Sequence, residues 1–534
     1  MTIDSFYDKM DKNNYYLGRI SQVYRDNSIA QVENLSLLSY RKINNDSLIP
    51  NTINYLVVVD SVRGIFLGEV FQTKVLSSDK LHDSINYSKV ETVNPEINID
   101  IIGVMTHHDR KFKLPEFMTV GVSEKVYLAN KMVLQKYLES IEVTNSQESK
   151  LQPFAIYLDM CEEEVSLKPS TLFDHHLFVV GATNSGKSTS ALSILDKAII
   201  ANKKTLIIDP TGEYNDSFSE QNVIKLNLGI DTTISPGKLT MQQWSMLFET
   251  NSNTQSAVLA EAIRSLRYQH KEGQNSCLVK SGQNIAQLQQ KLATVSNRDT
   301  DFDISLLSEQ IAQESVSESR KGDTYEHDSF RANSNSYLIQ KVTYQMSNTS
   351  LFDFFNNSHN YNLLEKIDSF IHTPNTSLYI NTSSLGISEG IGGMIIDLIC
   401  NYVISKKDII PFIFFIDEVH RYTKSQYSEE EFHKGLTLVA REGRKKGVFL
   451  FLTSQTPKDV SPVLLGQVGT MLIHRLTHND EIIAIKNYLD EYSFKQVKNL
   501  NQGEAILTSI NLMRNVFLRV IKCNRKQDND TPLL

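Results

Sequence analysis

Leu177–Ile200 reads LFVVGATNSGKSTSALSILDKAII, and this stretch decides the fold. Leu177, Phe178, Val179 and Val180 form a short apolar run of the kind a buried strand uses. Gly181-x4-Gly186-Lys187-Ser188 follows, which is the spacing of a phosphate-binding loop. Ala191, Leu192, Leu195, Ala198 and Ile199 then recur at helical intervals. The order strand, glycine loop, helix has a chemical reason. The glycines let backbone N–H groups converge on a phosphate with no Cβ in the way, and the new helix adds its positive end. Lys187 can reach the β- and γ-phosphates, and Ser188 can hold Mg²⁺. The predicted nucleotide-binding residues are Gly181, Ala182, Thr183, Asn184, Ser185, Gly186, Lys187, Ser188 and Thr189, with ATP and Mg²⁺ as cofactors.

A phosphate loop needs acidic partners, and Phe412–Ile416 supplies them by ending in Asp417-Glu418. Asp417 is expected on the metal, directly or through water, and Glu418 is expected to orient and deprotonate the attacking water. A third apolar run, Leu450-Phe451-Leu452, ends in Thr453-Ser454-Gln455. Gln455 can hydrogen-bond both water and phosphate without bringing charge, or it can cap the turn that begins at Thr456-Pro457. Between these strands lies Ala440-Arg441-Glu442-Gly443-Arg444-Lys445-Lys446-Gly447. Arg444 first and Arg441 second are candidates for a guanidinium that reaches a neighbouring subunit's γ-phosphate; the alternative is a solvated charge run. Asp209-Pro210-Thr211-Gly212-Glu213-Tyr214 closes the strand after the loop helix. Asp209 lies beside the phosphate loop if its strand neighbours the first, with Glu213 a weaker candidate for a water- or partner-directed role; an ordinary turn is the equal alternative. Ser281-Gly282-Gln283 echoes a transporter-ATPase signature but stands more than a hundred residues before the acidic strand, so it is set aside.

The chain has 534 residues, enough for two or three domains. Residues 1–150 are expected to form a small β-barrel, because short Val-, Ile- and Tyr-rich runs alternate with Asn, Asp, Ser and Gly: Tyr15–Val23, Ser28–Val32, Tyr55–Val59, Gly64–Val70, Ile99–Val104 and Met118–Val122. A helix is expected near Leu128–Ile141 and a linker at Asn145–Lys150. Residues 151–534 read as an α/β core whose near-continuous apolar strands suit a mainly parallel sheet covered on both faces. A polar, helical stretch at about 240–370 interrupts it, with Val316–Ser334 expected as exposed loop. The tail after Cys523 is expected to be loose or to dock on a neighbour.

Composition excludes some classes. With 54 basic and 62 acidic residues, net charge −8, the chain is not a protein that coats nucleic acid; any such contact is local. Cys161, Cys277, Cys400 and Cys523 are dispersed, which argues against a disulfide framework or zinc site and for a reducing cytoplasm. No run approaches the roughly 20 apolar residues of a membrane span, and the first residues lack an apolar signal core.

GATNSGKS (181–188), IIDPTGEY (207–214), FIFFIDEVHRY (412–422), REGRKKGVFLFLTSQTP (441–457) and THND (477–480) together resemble the HerA–FtsK group of P-loop motor ATPases, and HerA in particular. Residues 16–70 resemble the small β-barrel with which HerA begins. The resemblance is strong over about 165–240 and 375–520, weaker over 1–150 and poor over 240–370. Asn184 stands where the family usually has Gly, and Asn tolerates the backbone angles concerned.

The resemblance implies a RecA-like core and a homo-hexameric ring that threads double-stranded DNA while hydrolysing ATP between subunits. It also implies a partner, either a NurA-like nuclease in end processing or a sirtuin-like or other effector in antiphage defence. By motif, Lys187 and Ser188 fall on nucleotide and metal, Asp417 and Glu418 on metal and water, Gln455 on the sensor, and Arg441 or Arg444 on the trans finger. Lys424 and Lys458 are candidates to line a DNA pore. The leading expectation is a cytoplasmic DNA translocase. The alternatives are an ATP-gated scaffold that assembles and regulates an effector, and a secretion or conjugation ATPase of the same superfamily.

Overall fold

The computed structural model describes residues 2–7, 12–39, 41–43, 46–49, 52–75, 93–144, 146–158, 163–251, 254–356, 361–385, 389–422 and 434–526. They fall into two compact units, 1–171 with 506–519 and 172–505 with 520–534. The division at 171/172 lies beyond the expected boundary at 150, and a short C-terminal stretch joins the first unit.

In the first unit, β1 (Tyr16–Val23), β2 (Ser28–Val32), β3 (Tyr55–Ser61), β4 (Gly64–Lys74), β5 (Glu96–Thr106) and β6 (Lys125–Leu128) close an antiparallel barrel in the order β1-β2-β5-β4-β3-β6. Closure leaves no edge strand to pair with another chain. The interior is built from fully buried Leu17, Val57, Val59, Phe66, Ile97 and Val126. Two expectations are corrected here. Met118–Val122 is loop, with Val122 exposed; the sixth strand is Lys125–Leu128, too short to stand out by alternation. The helix α1 therefore begins later than Leu128, at Lys131, where Asn130 caps it by accepting from Val133 N, and runs to Ser140.

In the second unit the elements run as β7 (Leu177–Val180), α2 (Lys187–Ile200), β8 (Thr205–Asp209), β9 (Val223–Asn227), α3 (Met241–Leu247), α4 (Gln255–Lys271), α5 (Ile285–Ala293), α6 (Leu307–Gln313), α7 (Ser329–Met346), α8 (Thr349–Asn356), α9 (Leu363–His372), β10 (Ser377–Asn381), α10 (Glu389–Ser405), β11 (Phe412–Ile416), α11 (Lys434–Glu442), β12 (Val448–Ser454) and β13 (Thr470–His474). The strands form a parallel sheet in the order β13-β7-β12-β11-β8-β10-β9. β7, β11, β12 and β13 are buried along most or all of their length, as apolar strands covered on both faces require. The fold is the α/β, RecA-like class expected, with a closed barrel beside it in sequence.

Helices α3 to α9 lie between β9 and β10, in the region expected as a helical insertion. Trp244 centres part of it, its ring 5.3 Å from Phe355 and 5.8 Å from both Phe248 and Phe302. Val316–Ser334 is not simply loop. Val316–Glu318 pairs with Tyr325–His327 as a small hairpin, and α7 begins at Ser329 under the Asp328 cap. Among the described residues Cys277, Cys400 and Cys523 are free. Cys161, Asn145 and the tail from Gln527 lie outside the described residues.

Candidate nucleotide site

Strand order assembles the site. β12 sits between β7 and β11, with Val180 level with Ser454 and Ile416 level with Leu452. The residues that follow the three strands, Gly181, Gln455 and the Asp417-Glu418 pair, therefore emerge at one edge, outside the carboxyl ends of parallel strands where such sheets place ligands.

The loop between β7 and α2 is held by its backbone. Gly181 N donates to Ser454 O at 3.3 Å, Ala182 N to Arg475 O at 2.9 Å and Ser185 N to Ala182 O at 3.1 Å. Asn184 takes φ 62° and Gly186 takes φ 101°. Asn184 is thus in the left-handed region that Asn accepts more readily than most residues, and its Oδ1 receives Gln502 Nε2 at 2.8 Å. Gly186 has a second reason to lack a side chain: a Cβ there would stand 2.9 Å from both N and Cα of Gly503. Lys187, Ser188 and Thr189 open α2, so their N–H groups belong to the first turn, which has no intrahelical acceptors. Ser185 Oγ is fully buried and lacks a hydrogen-bond partner among the described residues.

Lys187 and Glu418, both buried, are ion-paired through Nζ and Oε1. Glu418 also accepts from Gln455 Nε2 at 2.8 Å and from Gln455 N at 3.2 Å, and its Oε2 lies 3.1 Å from His420 Nδ1. Burial opposes its charge, yet the His420 hydrogen bond and the Lys187 ammonium outweigh burial and hold the carboxyl at about 2. Glu418 has φ 48°, an uncommon conformation for a residue with a side chain. Thr453 fixes it: its hydroxyl accepts Glu418 N at 2.9 Å and donates to Asp417 Oδ1. Burial pushes the Asp417 carboxyl up, with the Lys187 charge pulling the other way. Thr183 Oγ1 donates to Gln455 Oε1 at 2.9 Å, joining the phosphate loop to the third strand. Lys187, Asp417, Glu418 and Gln455 are thus brought together. Thr453 and His420, which complete the set, were not singled out by sequence reasoning, although both sit inside the quoted runs.

Asp209 is a correction. β8 neighbours β11 and β10 rather than β7, so the strand adjacency that would set Asp209 next to the first strand is not present. Its carboxylate accepts from the N–H groups of Thr211, Gly212 and Tyr214 and from the hydroxyls of Thr211 and Tyr379, which makes it the anchor of the Pro210–Gly212 turn. Glu213, on the same turn, is pushed up to about 7 by burial and then by the charges of Asp417 and Asp209.

Arg441 is exposed at the end of α11 and Arg444 in the short helical turn Gly443–Lys446 that follows, and Arg444 Nη1 lies 2.9 Å from His175 Nδ1. Among the described residues neither arginine hydrogen-bonds to the Lys187–Glu418 cluster of its own chain. Lys458 N donates to Glu481 Oε2 at 3.0 Å, and its ammonium lies 3.7 Å from Glu481 and 3.9 Å from Asp480. Lys424 lies outside the described residues.

Residues 157–401 match the family described as the helicase HerA central domain, a span that contains the phosphate loop and ends before Asp417. A probable helicase of Methanocaldococcus jannaschii is 24% identical over 352 residues, 64% of this chain and 62% of that one, less than two thirds of its length. A second probable helicase of that organism is 22% identical over 510 residues, covering 87% of this chain and 90% of its own. The DNA double-strand break repair helicase HerA of Sulfolobus acidocaldarius is 23% identical over 389 residues, 70% of this chain and 69% of that one. The family match contains a complete phosphate loop, the acidic pair and Gln455 follow two further strands of the same sheet, and the chain is similar to P-loop ATPases of the HerA type.

Proposed function

We propose that this chain is an ATP-driven motor that translocates on double-stranded DNA as a ring of copies and works with a partner effector. The observation that carries the reading is the single cluster formed by Lys187, Glu418 and Gln455 at the end of a parallel sheet, in a chain similar to DNA repair helicases.

Ser188 and Asp417 would hold Mg²⁺. The fit is good: both offer hard oxygen atoms, and a buried carboxyl pushed up by burial is one that a divalent cation stabilises. Among the described residues no group of three His, Cys, Asp or Glu forms a metal cage, which suits an ion that takes its other oxygens from phosphate and water. When bound, the ion would neutralise charge on the β- and γ-phosphates.

The chain's own residues would do the rest. Lys187 would leave Glu418 for the phosphate oxygens. That exchange removes the nearest cation from Glu418 and makes the carboxylate a stronger base at the moment nucleotide is present. Gln455 and His420 would keep Glu418 aimed while it accepts the proton of the attacking water. Gln455, bridged to Thr183, would report the γ-phosphate to the loop. Arg444, or failing that Arg441, would complete the site of the adjacent copy.

The barrel unit and the helical insertion would choose the effector, a NurA-like nuclease or a sirtuin-like or other enzyme of a defence system, in the cytoplasm. Among the described residues no helix is long and apolar enough to cross a membrane.

Displacement of a third strand from a linear DNA triplex tests the motor. ATP-dependent displacement that Glu418→Gln abolishes is expected. ATP turnover with no displacement at any salt concentration would overturn translocation and leave a nucleotide-gated scaffold.

A further inference from the structure

One end of the barrel gathers cations that its own acids do not neutralise. The β3–β4 turn carries Val62-Arg63, and the loop after β5 carries His107-His108-Asp109-Arg110-Lys111. The two are neighbours because Gly64 pairs with Thr106, and His107 Nε2 donates to the Val62 carbonyl at 2.9 Å. The loop is a closed excursion: Lys113 N donates to Val104 O at 2.9 Å, and Val104 N donates back to Lys113 O at 2.8 Å. Arg110 and Lys111 are therefore displayed at its tip.

Asp109 is already engaged. It accepts from Lys113 Nζ at 2.6 Å and from Thr106 Oγ1 at 2.8 Å, and these bonds hold its carboxyl below the usual range. Glu116 and Glu124 are the other acids of the loop, and Glu124 is engaged by Ser61 Oγ at 2.6 Å and by Gly121 N at 2.7 Å. Arg63, Arg110 and Lys111 are exposed, and among the described residues their side chains make no ion pair or hydrogen bond. Three unpaired cations on adjoining turns run against a chain whose net charge is −8. Surface cations in an acidic protein ordinarily find carboxylates, so a cluster left open is a surface kept for an external anion.

Two guanidinium forks and one ammonium suit phosphate oxygens. The anion that presents them in a row, about one charge per 1.7 Å along its axis, is duplex DNA. Val62, next to Arg63, and Phe117, later in the same loop, are 89% and 97% exposed and make an acidic protein the competing occupant. Charge outweighs these two apolar side chains here. We infer that the Arg63–Arg110–Lys111 rim of the barrel binds the phosphate backbone of double-stranded DNA without reading its sequence. The inference rests on the DNA-motor reading and adds a duplex-binding surface outside the ATPase unit.

The test uses the full chain carrying Arg63→Gln, Arg110→Gln and Lys111→Gln, and a labelled linear duplex titrated without nucleotide between about 50 and 200 mM salt. The slope of log affinity against log salt is expected to shrink by about 0.9 for each phosphate that the variant no longer neutralises, so by up to about 2.7 per bound chain. Affinity falls for unrelated duplex sequences alike, while ATP turnover without DNA is unchanged. The charge-keeping pair Arg63→Lys with Arg110→Lys retains the wild-type slope, which separates charge from loop folding. A triple variant with the wild-type slope would overturn the rim while leaving the motor reading intact. A wild-type chain that binds no duplex at any salt would take both down. A triple variant that no longer binds poly-glutamate yet keeps its duplex binding would overturn the DNA assignment in favour of an acidic protein.

Discussion

Lys187 of the phosphate loop is ion-paired with Glu418 of the acidic strand, both side chains buried. The lysine proposed for phosphate and the carboxylate proposed for water thus occupy each other. A buried pair of this kind is costly to break on one side, because the remaining charge is left without a partner. On the proposed mechanism nucleotide would break it at lower cost by supplying the lysine with a new anion, so that phosphate binding and release of the base would become one event.

Removing the carboxylate charge therefore helps binding while it stops chemistry. Glu418→Gln is expected to bind ATP several-fold more tightly than the wild type and to lose at least about a hundred-fold in turnover. Calorimetric titration with ATP checks the first half and phosphate release the second. Equal affinities in the two proteins would mean that Lys187 is not held back by Glu418.

His420 acts on Glu418 from the side away from Lys187, at 3.1 Å from Oε2, and lies 3.1 Å from Ser454 Oγ. Its loss should loosen the aim of the carboxylate without touching the phosphate loop. His420→Ala is expected to lower kcat roughly ten-fold, about 1.4 kcal/mol, with little change in ATP affinity. Steady-state kinetics beside an equilibrium titration separates the two effects.

Gly186 combines φ 101° with the backbone of Gly503 2.9 Å from where a Cβ would stand. The neighbour is main chain and cannot rotate away. Gly186→Ala is expected to cost about 1–3 kcal/mol in the stability of the ATPase unit and to weaken ATP binding. Denaturant unfolding and nucleotide titration read these separately.

His474 lies beneath the loop, fully buried, with Nδ1 donating to Glu504 O at 2.8 Å and Nε2 without a partner among the described residues. Burial lowers its pKa to about 4, against an ordinary value near 6.5. The unfolded chain binds the proton more readily between those values, so this residue's contribution to stability is full above about 6.5 and is lost as pH falls towards 4. Melting temperature is expected to drop across that window in the wild type. The drop is expected to be smaller in His474→Leu, whatever the absolute stability of that variant.

The finger assignment has a mixing test. Arg444→Ala and Glu418→Gln damage different halves of a shared site if the guanidinium acts across an interface. Mixed preparations should then recover turnover that neither variant has alone. No recovery for Arg444 or Arg441 would remove the trans role.

What could be read in advance follows the range of the interactions. The phosphate loop, Asp417-Glu418 and Gln455 stand at the ends of apolar runs, and local pattern suffices to find them. Asp209 carried an equally suggestive setting, yet its position depended on which strand lies next to β7, and strand order is a non-local property that no run of residues announces. Thr453 and His420 act through side-chain hydrogen bonds to Glu418 and Asp417, so their roles exist only once the strands are aligned. The sixth barrel strand escapes a reading by pattern because Lys125–Leu128 is four residues long and alternation needs more. The hairpin at Val316–His327 is hidden by polar residues, since its strands lie mostly outside the core.

The central claim is that this cluster burns ATP to move on DNA. Turnover by the purified chain, with and without linear double-stranded DNA and with Glu418→Gln as the blank, addresses it most directly. The account predicts turnover that rises several-fold with DNA and falls again as salt is raised. Appreciable turnover that ignores DNA at every salt concentration would contradict it.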